Sequence, residues 1–214
     1  MTYSPAVAAA LSGASVRQLS YWRSAQSVEG PLLAPGFHRP RARVSYSFQD
    51  VLALRTFVYL RSQNVPLQRI RRSVRSLRTL GETEHLAAYR LVAVGREVVW
   101  RTADDAAVDL SRQPGQEVIA GMVDVLGRFD VAGGREVLPL LRPKPGIAVD
   151  PGVRGGYPVI EGTRVPYDLV ATLLADGIQP ADIASFYPSV GPEAAEGARA
   201  FERYVDGYRH ATAA

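Results

Sequence analysis

The sequence predicts a mainly α protein with a small β-rich middle, an α+β class of fold. Three observations carry this reading. Helix-capping signals punctuate the first 80 residues, the longest strand-like runs cluster between residues 89 and 119, and proline-opened apolar stretches begin at residue 166. They divide the 214 residues into three regions, 1–80, 81–145 and 146–214, a partition that the length accommodates.

The elements follow in order. Ser4-Pro5 reads as an N-cap with proline at the first helical position, and Gly13 reads as the stop. Ser15 with Gln18 three residues later is a capping box for a second short helix. Two such helices around a glycine turn read as a helix-turn-helix. Val16 and Leu19 are placed inward, and Trp22 is assigned to the core; Tyr21 fits either core or contact. The Pro/Gly-rich stretch from Glu29 to Pro40 is irregular, and Arg39, Arg41 and Arg43 lead from it into Val44-Ser45-Tyr46, together a basic wing.

Ser47 with Asp50 caps a third helix striped by Val51, Leu54, Phe57, Val58 and Leu60. Pro66 opens a fourth, with Leu67, Ile70, Val74 and Leu77 inward and Gly81 closing it. Its Arg71, Arg75 and Arg78 share one face, read as solvated, as a phosphate contact, or as a dock for an acidic partner. Tyr89–Val94 and Glu97–Arg101 flank Gly95-Arg96 as a hairpin, with strands also expected at Val108–Leu110 and Glu117–Ile119. Val123–Phe129 suits strand or helix, Ala132-Gly133-Gly134-Arg135 is a turn, and Pro139 to Pro145 reads as a linker. In the last region, Val159-Ile160 and Arg164-Val165 are extended around Glu161-Gly162-Thr163, and Pro166, Pro180 and Pro192 open three helices, a small helix-turn-helix-like bundle.

Charge is polarised. Residues 1–80 hold 12 Lys+Arg against 2 Asp+Glu, residues 81–145 hold 8 against 10, and residues 146–214 hold 5 against 9. Positive charge gathered at one end is the footprint of a polyanion binder. With no cysteine, disulfides and thiolate metal sites are excluded; His38, His85 and His210 include no pair at ligand spacing, so no metal and no cofactor are expected. Asp104-Asp105 and Glu84-His85 form no catalytic pattern, and the chain reads as a non-enzyme. Its longest apolar run, Ala6–Leu11, is far below the roughly 20 residues of a membrane span, and no signal-peptide pattern opens it, so a cytoplasmic protein is expected.

Arg17-Gln18-Leu19-Ser20-Tyr21-Trp22-Arg23, then Leu32-Leu33-Ala34-Pro35, then Arg43 through Val51, resembles the MerR superfamily of winged-helix regulators over residues 3–80. The resemblance implies a recognition helix in the major groove and a wing on the phosphates of double-stranded operator DNA. Ser15, Arg17, Gln18, Ser20, Tyr21, Arg23, Arg39, Arg41 and Arg43 are the candidate DNA contacts, since arginine can read guanine, glutamine adenine, and the others reach phosphates. Where that superfamily continues into a long dimerisation helix, this chain has a hairpin region.

The run from Asp150-Pro151-Gly152 through Gly156, Pro158, Gly162, Arg164 and Pro166, then Gly177, Pro180, Ile183 and Tyr187-Pro188, resembles the domain of unknown function 433 family over residues 147–208. Together the two resemblances look like VapB-type antitoxins with a MerR-like N-terminal domain. They imply an antitoxin that neutralises a cognate PIN-domain ribonuclease and represses its own operator as a homodimer. Candidate toxin contacts are Arg142, Lys144, Arg154 and Arg164, cations suited to the toxin's carboxylates. Candidate dimer residues are Val159, Ile160, Phe201, Tyr204 and Tyr208. A MerR-type regulator answering to a small molecule through residues 85–145, and an interaction adaptor, are the rival readings.

Overall fold

The computed structural model describes residues 2–24, 30–34, 44–79, 90–94, 97–101, 107–109, 116–117, 125–131 and 133–210. Helix α1 (Pro5–Ser12) is capped by Ser4, whose Oγ accepts from the Val7 amide, and stops at Gly13 in the left-handed region at φ 82°. Apolar nearly all round, it is buried nearly all round, as such a helix must be. Helix α2 (Val16–Arg23) starts on the expected capping box.

Helix α3 (Phe48–Ser62) starts on a second box, in which the Ser47 amide donates to Asp50 Oδ2 at 2.7 Å and the Asp50 amide to Ser47 Oγ at 3.0 Å. All five residues of its expected stripe are buried. Helix α4 (Leu67–Thr79) buries Ile70 and Val74 against it. Tyr3 and Tyr46 exchange both backbone hydrogen bonds, at 2.8 and 3.0 Å, so the strand-like end of the expected wing pairs with the start of the chain.

Strands β1 (Arg90–Val94), β2 (Glu97–Arg101), β3 (Ala107–Asp109) and β4 (Gln116–Glu117) form an antiparallel meander in sequence order, registered by Val94 opposite Glu97. Next comes a hairpin, β5 (Phe129–Val131) and β6 (Arg135–Val137), turned by Gly133 and Gly134, both at positive φ. It settles Phe129 as strand, whereas residues 123 and 124 lie outside the described residues.

The stretch expected as a linker is packed. Leu140 is buried, its amide donates to the Leu126 carbonyl at 2.8 Å, and the Val149 amide reaches the Leu141 carbonyl at 2.9 Å. Strands β7 (Ile147–Ala148) and β8 (Val159–Ile160) pair across a loop containing a single 3-10 turn, Arg154–Gly156. Helix α5 (Tyr167–Ala175), a 3-10 helix (Pro180–Ser185) and helix α6 (Pro192–His210) complete the fold. The expected three-helix bundle therefore has a 3-10 middle member. The run to Pro188 is short and buries Ile183 alone, which leaves little to hold a longer α-helix there.

The two ends of the chain share one hydrophobic core, with α6 lying along α1. Aromatic rings cross the junction in sequence: Tyr3 on Tyr157 (centroids 5.9 Å apart), Tyr157 on Tyr167 (6.1 Å), Tyr167 against Phe201 (4.7 Å), then Tyr204 and Tyr208. Tyr3 donates its hydroxyl to the Gly156 carbonyl at 2.5 Å. Burial raises the Tyr3 phenol above its ordinary pKa, so it stays a donor into alkaline solution. Tyr3→Phe should lower stability by about 1–2 kcal/mol, the usual loss when a buried bond disappears. A urea midpoint unchanged from the wild type would show that this bond contributes nothing.

Candidate nucleic-acid interface

Helix α2 divides cleanly. Leu19 and Trp22 are buried, Trp22 edge-on to Phe57 at 6.1 Å, while Arg17, Gln18, Ser20 and Tyr21 are exposed and Ser15 and Arg23 are half-buried. Arg17, Ser20 and Tyr21 stand at i, i+3 and i+4, a single face. Gln18 is also part of the helix start, because its Oε1 accepts from the Ser15 amide at 2.7 Å. Adenine readout through both ends of that amide would require the cap to open. Arg39, Arg41 and Arg43 lie outside the described residues.

Arg71 corrects the expectation for α4. It is only 6% exposed and does not share an open face with Arg75. Its guanidinium carbon sits 5.3 Å from the Tyr21 ring centroid, and its Nη1 donates to the Gly30 carbonyl at 2.7 Å. The Leu32 amide in turn donates to the Trp22 carbonyl at 2.8 Å. Helix α4 thus braces both α2 and the segment after it, and desolvation strengthens such a cation–aromatic contact. Arg72 and Arg75 are exposed, Arg69 is half-buried, and the Arg78 side chain lies outside the described residues.

The turn of the helix-turn-helix is held from the far end of the sequence. Arg135 Nη2 donates to the Gly13 carbonyl at 2.9 Å while its guanidinium covers the Tyr208 ring at 4.8 Å. A Cβ at Gly13 would meet Val137 at 2.4 Å, so glycine here serves both its left-handed conformation and this close approach. Tyr204 donates toward the carbonyls of Ala10 (3.4 Å) and Glu136 (3.3 Å).

The residues expected at a dimer interface are engaged within the chain itself. Val159, Ile160, Phe201 and Tyr208 are buried, Tyr204 is half-buried, and all five belong to the chain's own packing. Their apolar character is used up by α1 and by neighbours within 146–210. The expected toxin contacts divide. Arg142 pairs with Glu161 at 2.9 Å, Arg154 Nη1 donates to the Arg164 carbonyl at 3.2 Å, and Arg164 is exposed, so these three gather at the 161–164 turn. Lys144 instead leans over the Tyr204 ring, 5.9 Å from its centroid. Among the described residues no group of three or more His, Cys, Asp or Glu side chains could hold a metal, and no helix is long and apolar enough to cross a membrane.

Comparison with known proteins places this geometry. Residues 3–77 match the model of the MerR HTH family regulatory protein, and residues 147–201 match that of the protein of unknown function DUF433. Among solved structures, the X-ray crystal structure of Rv2018 from Mycobacterium tuberculosis is similar, with a TM-score of 0.54 and 17% identity over 92% of this chain and 96% of that one. At that identity the likeness concerns the fold. No curated protein matches the chain. The matches point to a DNA-binding regulator: the chain joins a MerR-like helix-turn-helix domain at its N-terminus to a DUF433 domain at its C-terminus.

Proposed function

We propose that the protein is the antitoxin of a type II toxin–antitoxin system, one that represses its own operator as a homodimer and neutralises a PIN-domain ribonuclease. The observation that carries the DNA half is the exposed face of α2, which presents Arg17, Ser20 and Tyr21, the last with its ring against the Arg71 guanidinium. The toxin half rests on the pairing of the two domain types, and the cations at the 161–164 turn suit an acidic metal-binding centre in a partner. The protein acts in the cytoplasm and without a catalytic site of its own.

Arg17→Ala should weaken operator binding by about 1–3 kcal/mol with little change in thermal stability. Gln18→Ala should also lower stability, by roughly 1 kcal/mol, because the cap goes with it. Gel-shift titration of the promoter region checks both; unchanged affinity in Arg17→Ala would remove α2 as the reader. For the toxin, the full chain is co-expressed with the product of the adjacent gene. Co-purification and relief of growth arrest are expected. Operator binding with no toxin partner would leave the DNA reading and discard the antitoxin.

A further inference from the structure

A cleft of about 140 Å³ opens between α2, the C-terminal half of α3 and the β5–β6 hairpin, lined among others by Gln18, Trp22, Val58, Arg61, Val131 and Arg135. Its character is double. Trp22 and Val58 are buried and Val131 is half-buried, which gives an apolar lining. Arg61 and Arg135 are exposed at its edge. Each spends a single guanidinium nitrogen on a carbonyl, Arg61 Nη1 on Val65 at 2.9 Å and Arg135 Nη2 on Gly13 at 2.9 Å, and among the described residues neither is paired with a carboxylate.

The hairpin explains why no acid compensates them. Val131 stands opposite Arg135 in the register, and both line the cleft. Asp130 stands opposite Glu136, and successive strand residues face opposite ways, which puts both carboxylates on the other face, where Glu136 pairs with Arg128. Two guanidiniums with most of their donors unspent therefore flank a hollow of mixed character, with the Gln18 side-chain N–H₂ beside them as a further donor, its Oε1 being committed to the cap.

We propose that this cleft is a binding site for a small organic carboxylate with an apolar, ring-sized body, its head held by Arg61 and Arg135 and its body on Trp22, Val58 and Val131. Bidentate pairing of arginine with a planar carboxylate fits the polar edge formed with Gln18 and Ser62, and Trp22, Val58 and Val131 give the body an apolar surface to rest on. The ligand would touch the third residue of α2 on one side and the hairpin that clamps Gly13 on the other. Resting on the DNA-reading role of α2, the consequence is that occupancy changes operator affinity.

Calorimetric titration of the full chain tests the site, with benzoate as the probe, benzyl alcohol as the uncharged body and inorganic phosphate as the bodiless anion. Saturable benzoate binding is expected, at least tenfold tighter than either control. Arg61→Gln should weaken it at least tenfold while the chain keeps its fold by circular dichroism. In a gel shift, saturating benzoate should move operator affinity several-fold in the wild type and leave Arg61→Gln unmoved. No benzoate binding up to about ten millimolar, or binding untouched by Arg61→Gln, overturns the site. Arg61→Gln lowering the salt slope of DNA binding by about one, without any benzoate binding, would make the cleft a phosphate contact and equally overturn it. Benzoate binding that leaves operator affinity unmoved overturns the effector role. A chain that binds no DNA refutes the proposed function, and the calorimetric arm still decides the site.

Discussion

Arg55→Met is expected to lower unfolding free energy by about 3–5 kcal/mol. Arg55 is fully buried in the middle of α3, and its guanidinium donates to the carbonyls of Leu11 (2.6 Å), Val125, Gly127 and Leu138 (2.7 Å). Its charge lies 5.0 Å from the centre of the Phe129 ring. Those four acceptors come from the end of α1 and from three points between residues 125 and 138, segments that have no regular ladder to α3. Methionine fills much of the same volume and supplies no donor, so buried carbonyls lose their partners, at roughly 1–3 kcal/mol for each that water cannot reach. Total stability for a domain is about 5–15 kcal/mol, so the variant should be marginal at growth temperature. Urea unfolding, with the exposed Arg17→Met as the control expected within about 0.5 kcal/mol, measures it. A loss below about 1 kcal/mol would mean that water or rearranged backbone satisfies these carbonyls.

Arg55 also marks the limit of what the sequence discloses. Where a signal is local, the reading and the structure coincide. Both capping boxes, the Gly13 stop and the strands flanking residues 95 and 96 depend on residues within a few positions of one another. Arg55 differs in that its partners lie 44 to 83 residues away, and an arginine between apolar neighbours looks the same whether it faces water or four carbonyls. Arg71 is the same case, since spacing placed it with Arg75 and only the Tyr21 ring and the Gly30 carbonyl explain its burial.

Apolar residues hide their partners in the same way. Phe201 and Tyr208 were legible as a surface that something must cover, and what covers them is the same chain. The small side chains Ala8, Ala9 and Ala10 leave α1 slim enough for α6 to lie beside it. Gln18 was legible twice over, as a cap and as a base reader, and the structure gives its Oε1 to the cap. For the cleft, alternation along residues 129–137 could have put Val131 and Arg135 on one face, but only the folded hairpin carries that face to Trp22 and Val58.

Gly197→Ala should destabilise the protein by several kcal/mol, against the rule that alanine improves a helix interior by about 1 kcal/mol. Gly197 lies inside α6, and a Cβ there would stand 1.9 Å from the Pro145 carbonyl oxygen and 3.1 Å from its carbon. The obstacle is backbone, so no rotamer change relieves it. Gly146 next along has φ 72° and would itself meet the Ala194 Cα at 2.8 Å, so the segment can move neither sideways nor away cheaply. Either α6 shifts off the strand that follows Pro145, breaking its packing with α1, or residues 144–147 detach from β8. Overpacking of a tight core typically costs about 1–3 kcal/mol where side chains yield, and a fixed backbone raises that. The same helix supplies the control. Gly207 is exposed, and a Cβ there would meet nothing within 4 Å, so Gly207→Ala should stabilise by up to about 1 kcal/mol. Thermal unfolding of the two single variants should therefore move in opposite directions from the wild type. If Gly197→Ala moved upward with Gly207→Ala, helix propensity would outweigh the contact, and the close approach of residues 145–146 to α6 would not hold in solution.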